Sequence, residues 1–174
     1  MTPNHAGDVV LTTAQIQQGV QTVAQQLNTA FQGEEAVVLT VVPGGILFTA
    51  DLVRALTFPV CMDTLSCPHT PGDRHNTSDI VYHPHVSITD KHVIIIDDAI
   101  ESGGTMKRLV EYVMTGFNVK SLSVATLFVK PGRVAIPVPQ YFAYEMINDD
   151  LLMGYGLPWK HYSRNLSYIA KVNR

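Results

Sequence analysis

The chain has 174 residues, of which 46% are hydrophobic, which is enough for one domain with a substantial core and too few for two ordinary domains. Its formal net charge of −3 provides no basic surface for nucleic acid, and no helix-turn-helix pattern is present. The longest apolar stretches have the length of strands, and the polar residues 1–8 do not resemble a signal peptide. We therefore expect a soluble, cytoplasmic domain whose partners include neither nucleic acid nor a membrane.

The first half of the chain alternates between helical and strand patterns. A threonine pair suited to an N-cap precedes the first helical pattern, and Pro43, Gly44 and Gly45 end the first strand pattern. In chain order the predicted elements are a helix over residues 11–31, a strand over 36–42, a helix over 46–56 and a strand over 58–65. The polar, proline-bearing residues 67–86 are typical of a long loop that covers a binding site.

The cysteines and histidines match no common metal motif. Cys61 and Cys67, the only cysteines, have a spacing unlike that of zinc or redox sites, and two thiols in a domain of this size fit a reducing compartment. Four histidines fall in the polar loop without helical or strand spacing, namely His69, His75, His83 and His85. We interpret this segment as a solvated loop and not as a metal cage.

The most informative stretch is residues 93–106. Its first four residues are a continuous β-branched run, as in a strand buried on both faces at the centre of a parallel sheet. Asp97 and Asp98 follow at the carboxyl end of this strand, where open α/β sheets bind ligands. A turn of small residues comes next, namely Ser102, Gly103, Gly104 and Thr105. Its amides and hydroxyls, and the helix that follows, favour an anion, so this order of parts predicts a sugar-phosphate site.

The alternation of strand and helix continues beyond this stretch. Residues 106–115 have the spacing of a helix with Gly116 as its C-cap, and residues 121–130 form another apolar strand pattern. The tail, residues 141–172, mixes short strands with turns. The expected fold class is α/β, a doubly wound, mostly parallel sheet with helices on both faces.

The central strand, acid pair and turn resemble the diphosphoribosyl-binding motif of type I phosphoribosyltransferases. From about residue 37 onward, the chain resembles the hypoxanthine-guanine branch of that family. The resemblance implies a single domain over residues 1–174, with a mobile loop at about 66–86 and a small C-terminal hood at about 139–174. It implies a purine-salvage glycosyltransferase that joins a 6-oxopurine, hypoxanthine or guanine, to phosphoribosyl diphosphate with Mg²⁺ and releases pyrophosphate. Relatives form dimers or tetramers, so we expect a homodimer or homotetramer.

The resemblance also assigns roles to residues on the sugar and phosphate side. Asp97 and Asp98 match the acidic pair that holds the ribose hydroxyls and would reach Mg²⁺ through those hydroxyls or through water. The 5′-phosphate would lie on the turn formed by Ser102, Gly103, Gly104 and Thr105. Gly44, Gly45 and Arg164 match groups that contact the pyrophosphate.

On the base side, Glu101 takes the place of the acid that exchanges a proton with N7 of the purine. Lys130 matches a lysine directed at O6, and because an ammonium can only donate, it favours an oxo group and disfavours adenine. Leu151 and Leu152 fall where relatives sandwich the purine and offer it backbone groups.

The chain departs from the family pattern at several positions. Aspartate is commoner than glutamate at 101, an aromatic residue is usual at 151, and many relatives have a residue other than proline at 43. Pro158 replaces an aspartate that helps to hold Mg²⁺, and a proline side chain cannot be a ligand. The Ser-Tyr or Arg-Tyr pair of the mobile loop is not found between Ser66 and Thr77. We expect phosphoribosyl diphosphate binding to be intact, and base recognition and metal assistance to differ.

Two alternatives stay open on the sequence. A regulator could have kept the sugar-phosphate pocket and lost catalysis, although a sensor needs neither Glu101 nor Lys130. The same transfer to a different base would agree with Leu151 and with the altered loop.

Overall fold

The computed structural model describes residues 5–68 and 76–173 of the chain. Within these ranges it contains three helices and nine strands. In order they are β1 (Ala6–Leu11), α1 (Thr13–Ala30), β2 (Ala36–Val42), α2 (Ile46–Val53), β3 (Val60–Ser66), β4 (His92–Ile96), β5 (Ala99–Ile100), α3 (Gly104–Gly116), β6 (Ser121–Val129), β7 (Gln140–Glu145), β8 (Leu152–Met153) and β9 (Ile169–Val172). None of the described helices is both long enough and apolar enough to cross a membrane.

Six strands form the central sheet, and every pairing in it is parallel. The strand order is β3-β2-β4-β6, with β7 along the other edge of β6. The short β5 prolongs the line of β4, because Ile96 lies opposite Ala125 and Ala99 lies opposite Phe128 at the same offset. Asp97 and Asp98 form the interruption between these two strands, at the carboxyl edge of the sheet.

Helices cover both faces of this sheet, so the expected doubly wound architecture is confirmed. Since alternate residues of a strand point to opposite faces, neighbours in β2 belong to different layers. Val38 packs with α1 and α2 in one buried cluster, whereas Val37 and Leu39 pack with α3 in the other. Both faces of β2 and β4 are therefore dry, as their β-branched sequences predict.

A separate three-stranded antiparallel sheet has the order β1-β9-β8, and we use the name hood for this sheet together with residues 154–168, which connect β8 to β9. It joins the two ends of the chain, since Ala6 lies opposite Val172 and Leu152 lies opposite Lys171. The strand β7 falls within the range expected for the hood, but it pairs with β6 at the edge of the central sheet.

Several element boundaries differ from the sequence prediction. The helix α1 begins at Thr13, because Thr12 and Gln15 form a reciprocal capping box there. The helix α3 begins at Gly104 and includes Gly116 as its last residue, so Phe117 and not Gly116 is the C-cap. The helix α2 ends at Val53, three residues earlier than expected. The strands β1 and β5 were not predicted.

Candidate active site

The acid pair lies at the break between β4 and β5. The backbone of both acids is still hydrogen-bonded to β6, because Asp97 N donates to Ala125 O at 3.2 Å and Asp98 O accepts from Leu127 N at 3.1 Å. The Asp98 amide turns back and donates to Asp97 Oδ1 at 2.8 Å. The side chain of Asp98 is buried, and that of Asp97 is half-buried. The sheet thus fixes two adjacent carboxyls at its carboxyl edge.

Burial dominates the electrostatics of this pair. It raises the pKa of Asp97 well above the ordinary value, and the neighbouring Asp98 charge acts in the same direction. Burial also raises the pKa of Asp98 to about 6, with Glu101 adding repulsion. Arg164 opposes both shifts only weakly, since it is among the smallest causes. The pair therefore favours a ligand that brings hydrogen-bond donors or positive charge.

The turn of small residues connects β5 to α3. Gly103 has φ +84°, a left-handed conformation that favours glycine, and a Cβ there would come within 3.1 Å of the Val134 side chain. Gly104 is the first residue of α3, and Ser102, Gly103 and Thr105 line the adjacent cleft. The first amides of α3, which have no partner within the helix, and the hydroxyls around them form a cradle for an anion.

A second glycine-bearing turn lies beside the acids, between β2 and α2. A Cβ on Gly44 would lie 3.1 Å from Asp98 Oδ2 and 3.3 Å from Asp97 Oδ1. A Cβ on Gly45 would lie 2.8 Å from the carbonyl oxygens of both Ile96 and Val41. Both glycines thus let this turn approach the acid pair closely, and the peptide before Pro43 is cis.

The hood brings the fourth segment to the same point. Gly156, at φ +103°, would place a Cβ 2.3 Å from Gly44 O and 3.0 Å from Asp98 Oδ2. Arg164 is held beside it, because its guanidinium donates to Gly156 O at 2.6 Å and its carbonyl accepts from Gly156 N at 2.9 Å. Arg164 lines the cleft with Gly44 and both acids. The cleft is partly open to solvent, so a ligand could enter it without a change of fold.

The remaining polar groups meet around a buried lysine. Lys130 is only 2% exposed, and its Nζ donates to Asp150 O at 2.8 Å. The same Nζ lies 3.5 Å from Glu101 Oε2 and 3.6 Å from Asp149 Oδ1. Glu101 lines the cleft, whereas Lys130 lies behind it. The ammonium of Lys130 is therefore in direct contact with a carboxylate that borders the cleft.

This arrangement agrees with comparisons to known proteins. The family model for the phosphoribosyl transferase domain matches residues 8–150. The chain belongs to the phosphoribosyltransferase family.

Individual relatives of this phosphoribosyltransferase cover almost its whole length. It is 30% identical over 171 residues to a hypoxanthine-guanine phosphoribosyltransferase of Staphylococcus aureus, covering 97% of this chain and 95% of that protein. It is 28% identical over 172 residues to a hypoxanthine phosphoribosyltransferase of Salmonella typhimurium, covering 97% and 96%. A crystal structure of a hypoxanthine-guanine phosphoribosyltransferase from Bacillus anthracis superposes with a TM-score of 0.84 at 31% identity, covering 96% and 98%. The expected resemblance is therefore confirmed.

Two departures from the family pattern can now be placed in this phosphoribosyltransferase. Pro158 lines the cleft beside Arg164, at the position where the sequence comparison expected a metal-binding aspartate. Leu152 lines the cleft as well, whereas Leu151 lies outside its wall and its carbonyl accepts from Val172 N at 2.8 Å. Of the two leucines, only Leu152 is thus placed to contact a ligand in this cleft.

Sequence reasoning missed a hydrogen-bonded cluster between the polar loop and α3. Asn76 Nδ2 donates to Thr105 Oγ1 at 3.0 Å, and the Arg108 guanidinium donates to Asn76 O at 2.7 Å and to Ser78 O at 2.8 Å. Cys67 lies in this cluster and lines the cleft, and burial raises the pKa of its thiol although Arg108 opposes the shift. The sequence held one signal for this cluster. Arg108 is three residues after Thr105, so the two side chains lie on the same face of α3 and could contact the same segment.

The histidine-bearing loop segment can be described in part. His69 and His75 lie outside the described residues. Asp63 accepts from His85 N at 2.7 Å and from Val86 N at 3.2 Å, and its carboxylate lies 3.3 Å from His85 Nδ1. Burial alone would raise the pKa of Asp63, but the backbone donors outweigh it and lower the pKa. This buried carboxylate of β3 therefore binds the end of the loop, at His85 and Val86, to the central sheet.

A tyrosine of the hood forms a hydrogen bond with α2. Tyr155 is buried, and its hydroxyl donates to Asp51 Oδ2 of α2 at 2.6 Å. Burial raises the pKa of this phenol, and the bond to Asp51 adds to the shift. Tyr155 precedes Gly156, so the bond fixes the hood turn relative to the helix that follows Gly44 and Gly45.

Proposed function

We propose that this phosphoribosyltransferase transfers the 5-phosphoribosyl group of phosphoribosyl diphosphate to a 6-oxopurine, hypoxanthine or guanine, and releases pyrophosphate. The observation that carries the proposal is the convergence of four separated segments on one cleft. The acid pair, the turn at Ser102–Thr105, the turn at Gly44–Gly45 and Arg164 all contribute to its lining. Groups suited to a sugar, a monophosphate and a diphosphate in one cleft support the proposal.

The sugar and phosphates would be held mainly by preorganised electrostatics. Asp97 and Asp98 accept hydrogen bonds from the ribose hydroxyls, and their negative charge stabilises the positive charge that develops on the sugar as the bond to pyrophosphate breaks. The amides at the start of α3 bind the 5′-phosphate. Arg164 and the backbone of Gly44 and Gly45 receive the leaving pyrophosphate, with the guanidinium compensating its charge.

The base side accounts for the choice of a 6-oxopurine. N7 and the group at position 6 lie on the same edge of a purine, where guanine presents two acceptors and adenine presents an acceptor and a donor. Glu101 and Lys130, 3.5 Å apart, offer a proton-exchanging carboxylate and a donor for these two neighbouring atoms. An ammonium cannot accept from an amine, so adenine is disfavoured. Leu152 supplies apolar contact to the ring.

Mg²⁺ is the proposed cofactor, and the donor set fits a metal held mostly by the substrate. The described residues contain no group of three or more His, Cys, Asp or Glu side chains that could hold a metal ion. Mg²⁺ commonly takes most of its ligands from substrate phosphates and water, with one or two carboxylates assisting. Asp97 and Asp98 would assist through the ribose hydroxyls or water, and bound Mg²⁺ would neutralise the diphosphate charge. Pro158, which also lines the cleft, offers no side-chain ligand.

We also propose that the protein is a homo-oligomer, a dimer or a tetramer, in the cytoplasm. Apolar side chains are exposed on α2 and on the edge strand β3, with Ile46 at 46% and Met62 at 50% exposure. Two unpaired thiols, Cys61 and Cys67, agree with a reducing compartment. Sedimentation velocity would test the assembly, and a monomer at micromolar concentration would contradict it.

One assay tests the proposed activity and its base preference. The protein is incubated with Mg²⁺, phosphoribosyl diphosphate and hypoxanthine, guanine, xanthine or adenine in turn, and nucleotide formation is followed. We expect turnover of hypoxanthine, guanine or both, and little of adenine. Saturable binding of phosphoribosyl diphosphate without turnover of any base would favour a sensor. Turnover of adenine alone would favour transfer to a different base.

The role of Glu101 can be tested separately. Glu101→Gln keeps the shape of the side chain but cannot exchange the N7 proton, so we expect turnover to fall by about 10²- to 10⁴-fold while binding of phosphoribosyl diphosphate is retained. Glu111→Gln is the matched control, because Glu111 lies on α3 with its side chain 55% exposed and contacts only Lys107 among the described ion pairs. Normal turnover by Glu101→Gln would refute the role.

A further inference from the structure

Thr105 borders the cleft and also contacts the polar loop. The residue lines the cleft at the start of α3, where the proposed function places the 5′-phosphate, and its hydroxyl accepts a hydrogen bond from Asn76 Nδ2 at 3.0 Å. A hydroxyl has one proton and two acceptor positions. Because the amide already donates to the oxygen, the proton of Thr105 has to point elsewhere, and the cleft is the side that offers it an anion.

The direction of the amide is fixed by its other bonds. Asn76 Oδ1 accepts from Ser78 N at 3.0 Å, so the nitrogen and not the oxygen of the amide faces Thr105. The same Nδ2 also lies 3.4 Å from Cys67 Sγ and 3.5 Å from Cys67 O. All of these contacts agree with a donor directed at the start of α3.

The backbone of Asn76 is held independently of the contact with Thr105. Arg108 NH1 donates to Asn76 O at 2.7 Å, and NH2 donates to Ser78 O at 2.8 Å. An antiparallel bridge between Ser66 and Val81 closes the base of this loop on the other side. Thus Asn76 is fastened to α3 one turn beyond Thr105, and its side chain has little freedom to turn away.

We propose that Asn76 is a positioning residue that orients the Thr105 hydroxyl so that its proton is presented to the 5′-phosphate. The inference rests on the proposed function and deepens it, because it adds a residue of the loop to the phosphate site. A phosphate that accepts a hydrogen bond from the Thr105 hydroxyl makes Thr105 Oγ1 a better acceptor for the Asn76 amide, since hydrogen bonds in a chain polarise one another. Phosphate binding therefore strengthens the attachment of the loop to α3, and this attachment increases the affinity for phosphate by the same factor.

The deciding variant is Asn76→Asp, with binding measured by calorimetry. The carboxylate has the shape of the amide and can still accept from Ser78 N, but it removes the donor to Thr105 and attracts the hydroxyl proton away from the cleft. We expect the Kd for ribose 5-phosphate to rise by about tenfold or more, and by about fivefold in Asn76→Ala. The Kd for pyrophosphate, whose proposed site does not include Thr105, should change by less than about threefold, because solvent screens the added charge.

Two comparisons separate positioning from general damage. Gln17→Glu makes the same change from amide to carboxylate at an exposed position of α1, and it should leave both affinities unchanged. In a double-mutant cycle, adding Asn76→Ala to Thr105→Val should weaken ribose 5-phosphate binding no further, because both changes remove one chain of bonds.

The outcomes distinguish this inference from the proposed function. If the wild-type protein binds ribose 5-phosphate and Asn76→Asp binds it equally well, only the positioning role is refuted. An equal loss of ribose 5-phosphate and pyrophosphate binding in Asn76→Asp would also refute it, in favour of a merely structural role. A wild-type protein that binds neither ribose 5-phosphate nor phosphoribosyl diphosphate would refute the proposed function and this inference together.

Discussion

Asp97 and Asp98 are adjacent carboxyls at the edge of the central sheet, the first half-buried and the second buried. Burial raises the pKa of Asp98 from its ordinary value of 3.8 to about 6. Since the folded pKa lies above the unfolded one, the group stabilises the fold fully below about pH 4, and this contribution is lost as the pH rises through about 6. The shift corresponds to about 2 to 3 kcal/mol across that window.

The first prediction concerns Asp98→Asn. An asparagine does not titrate, so the variant should escape the loss of stability that Asp98 causes in the wild type as the pH rises. Relative to the wild type, the variant should therefore be about 2 to 3 kcal/mol more stable at pH 7.5 than at pH 4. Urea denaturation of both proteins, without ligands, at the two pH values measures this difference. A difference independent of pH would show that the carboxyl does not titrate with a raised pKa.

The second prediction concerns Lys130→Met. Methionine fills a similar volume in the buried position, but it cannot donate to O6, so kcat/KM for hypoxanthine should fall by about 10- to 100-fold, as expected for a hydrogen bond to a charged group. Lys107→Met is the control, because Lys107 lies on α3 with its side chain 47% exposed. Pyrophosphate affinity reports whether the cleft is intact. Unchanged kcat/KM in Lys130→Met would exclude a contact between Lys130 and the base.

Sequence reasoning succeeded at the residue scale where function is encoded in consecutive residues. The strand, the acid pair and the turn are contiguous, so their order alone predicts one site. The bond between Asn76 and Thr105 joins residues 29 positions apart, one of which is in a loop without periodicity. Such a contact depends on how the loop returns to α3, which no local pattern specifies.

At the scale of elements, two glycines allow a matched comparison, which is the third prediction. Gly45→Ala puts a methyl group 2.8 Å from two backbone oxygens between β2 and α2, so it should destabilise the protein by about 1 to 3 kcal/mol and weaken pyrophosphate binding. Gly116→Ala meets no atom within 4 Å at the last residue of α3, so it should be neutral or stabilise by up to about 1 kcal/mol. Thermal melts and pyrophosphate calorimetry test both. Equal stability of the two variants would contradict the crowding at Gly45.

Element prediction failed where pairing partners are distant along the chain. The strand β1 alternates only weakly between exposed and buried residues, and it exists because β9, at the other end of the chain, pairs with it. The strand β5 has two residues and depends on β6. By contrast, α1 has its capping box and a stripe of buried residues within one local segment, so its spacing predicted both ends to within two residues.

At the scale of the molecule, the hood and the central sheet share one buried cluster. Leu152, Tyr155, Leu157 and Ile169 of the hood pack in the same cluster as α1 and α2. The parallel sheet follows from the β-branched sequences of β2 and β4, which are dry on both faces. The set of strands that forms the hood could not be predicted, because β1, near the start of the chain, pairs with β9, near its end.

This shared cluster leads to the fourth prediction. The only tryptophan, Trp159, lies in the hood, whereas most helical signal comes from α1 and α3 on the central sheet. Because the two parts share their core, we expect tryptophan fluorescence and far-ultraviolet circular dichroism to report one coincident urea transition. A fluorescence midpoint clearly below the dichroism midpoint would mean that the hood unfolds on its own.

The raised pKa values of the acid pair also shape the heat of binding. In the empty cleft near pH 6 the pair retains protons, and a ligand that donates hydrogen bonds to both carboxylates favours their release into solution. The buffer takes up these protons, so titrations near this pH in PIPES and in imidazole, which differ in ionisation enthalpy, should give different enthalpies for the same binding event. The slope of the observed binding enthalpy against the ionisation enthalpy of the buffer gives the number of protons released on binding. Because binding releases protons, a lower pH should reduce the apparent affinity.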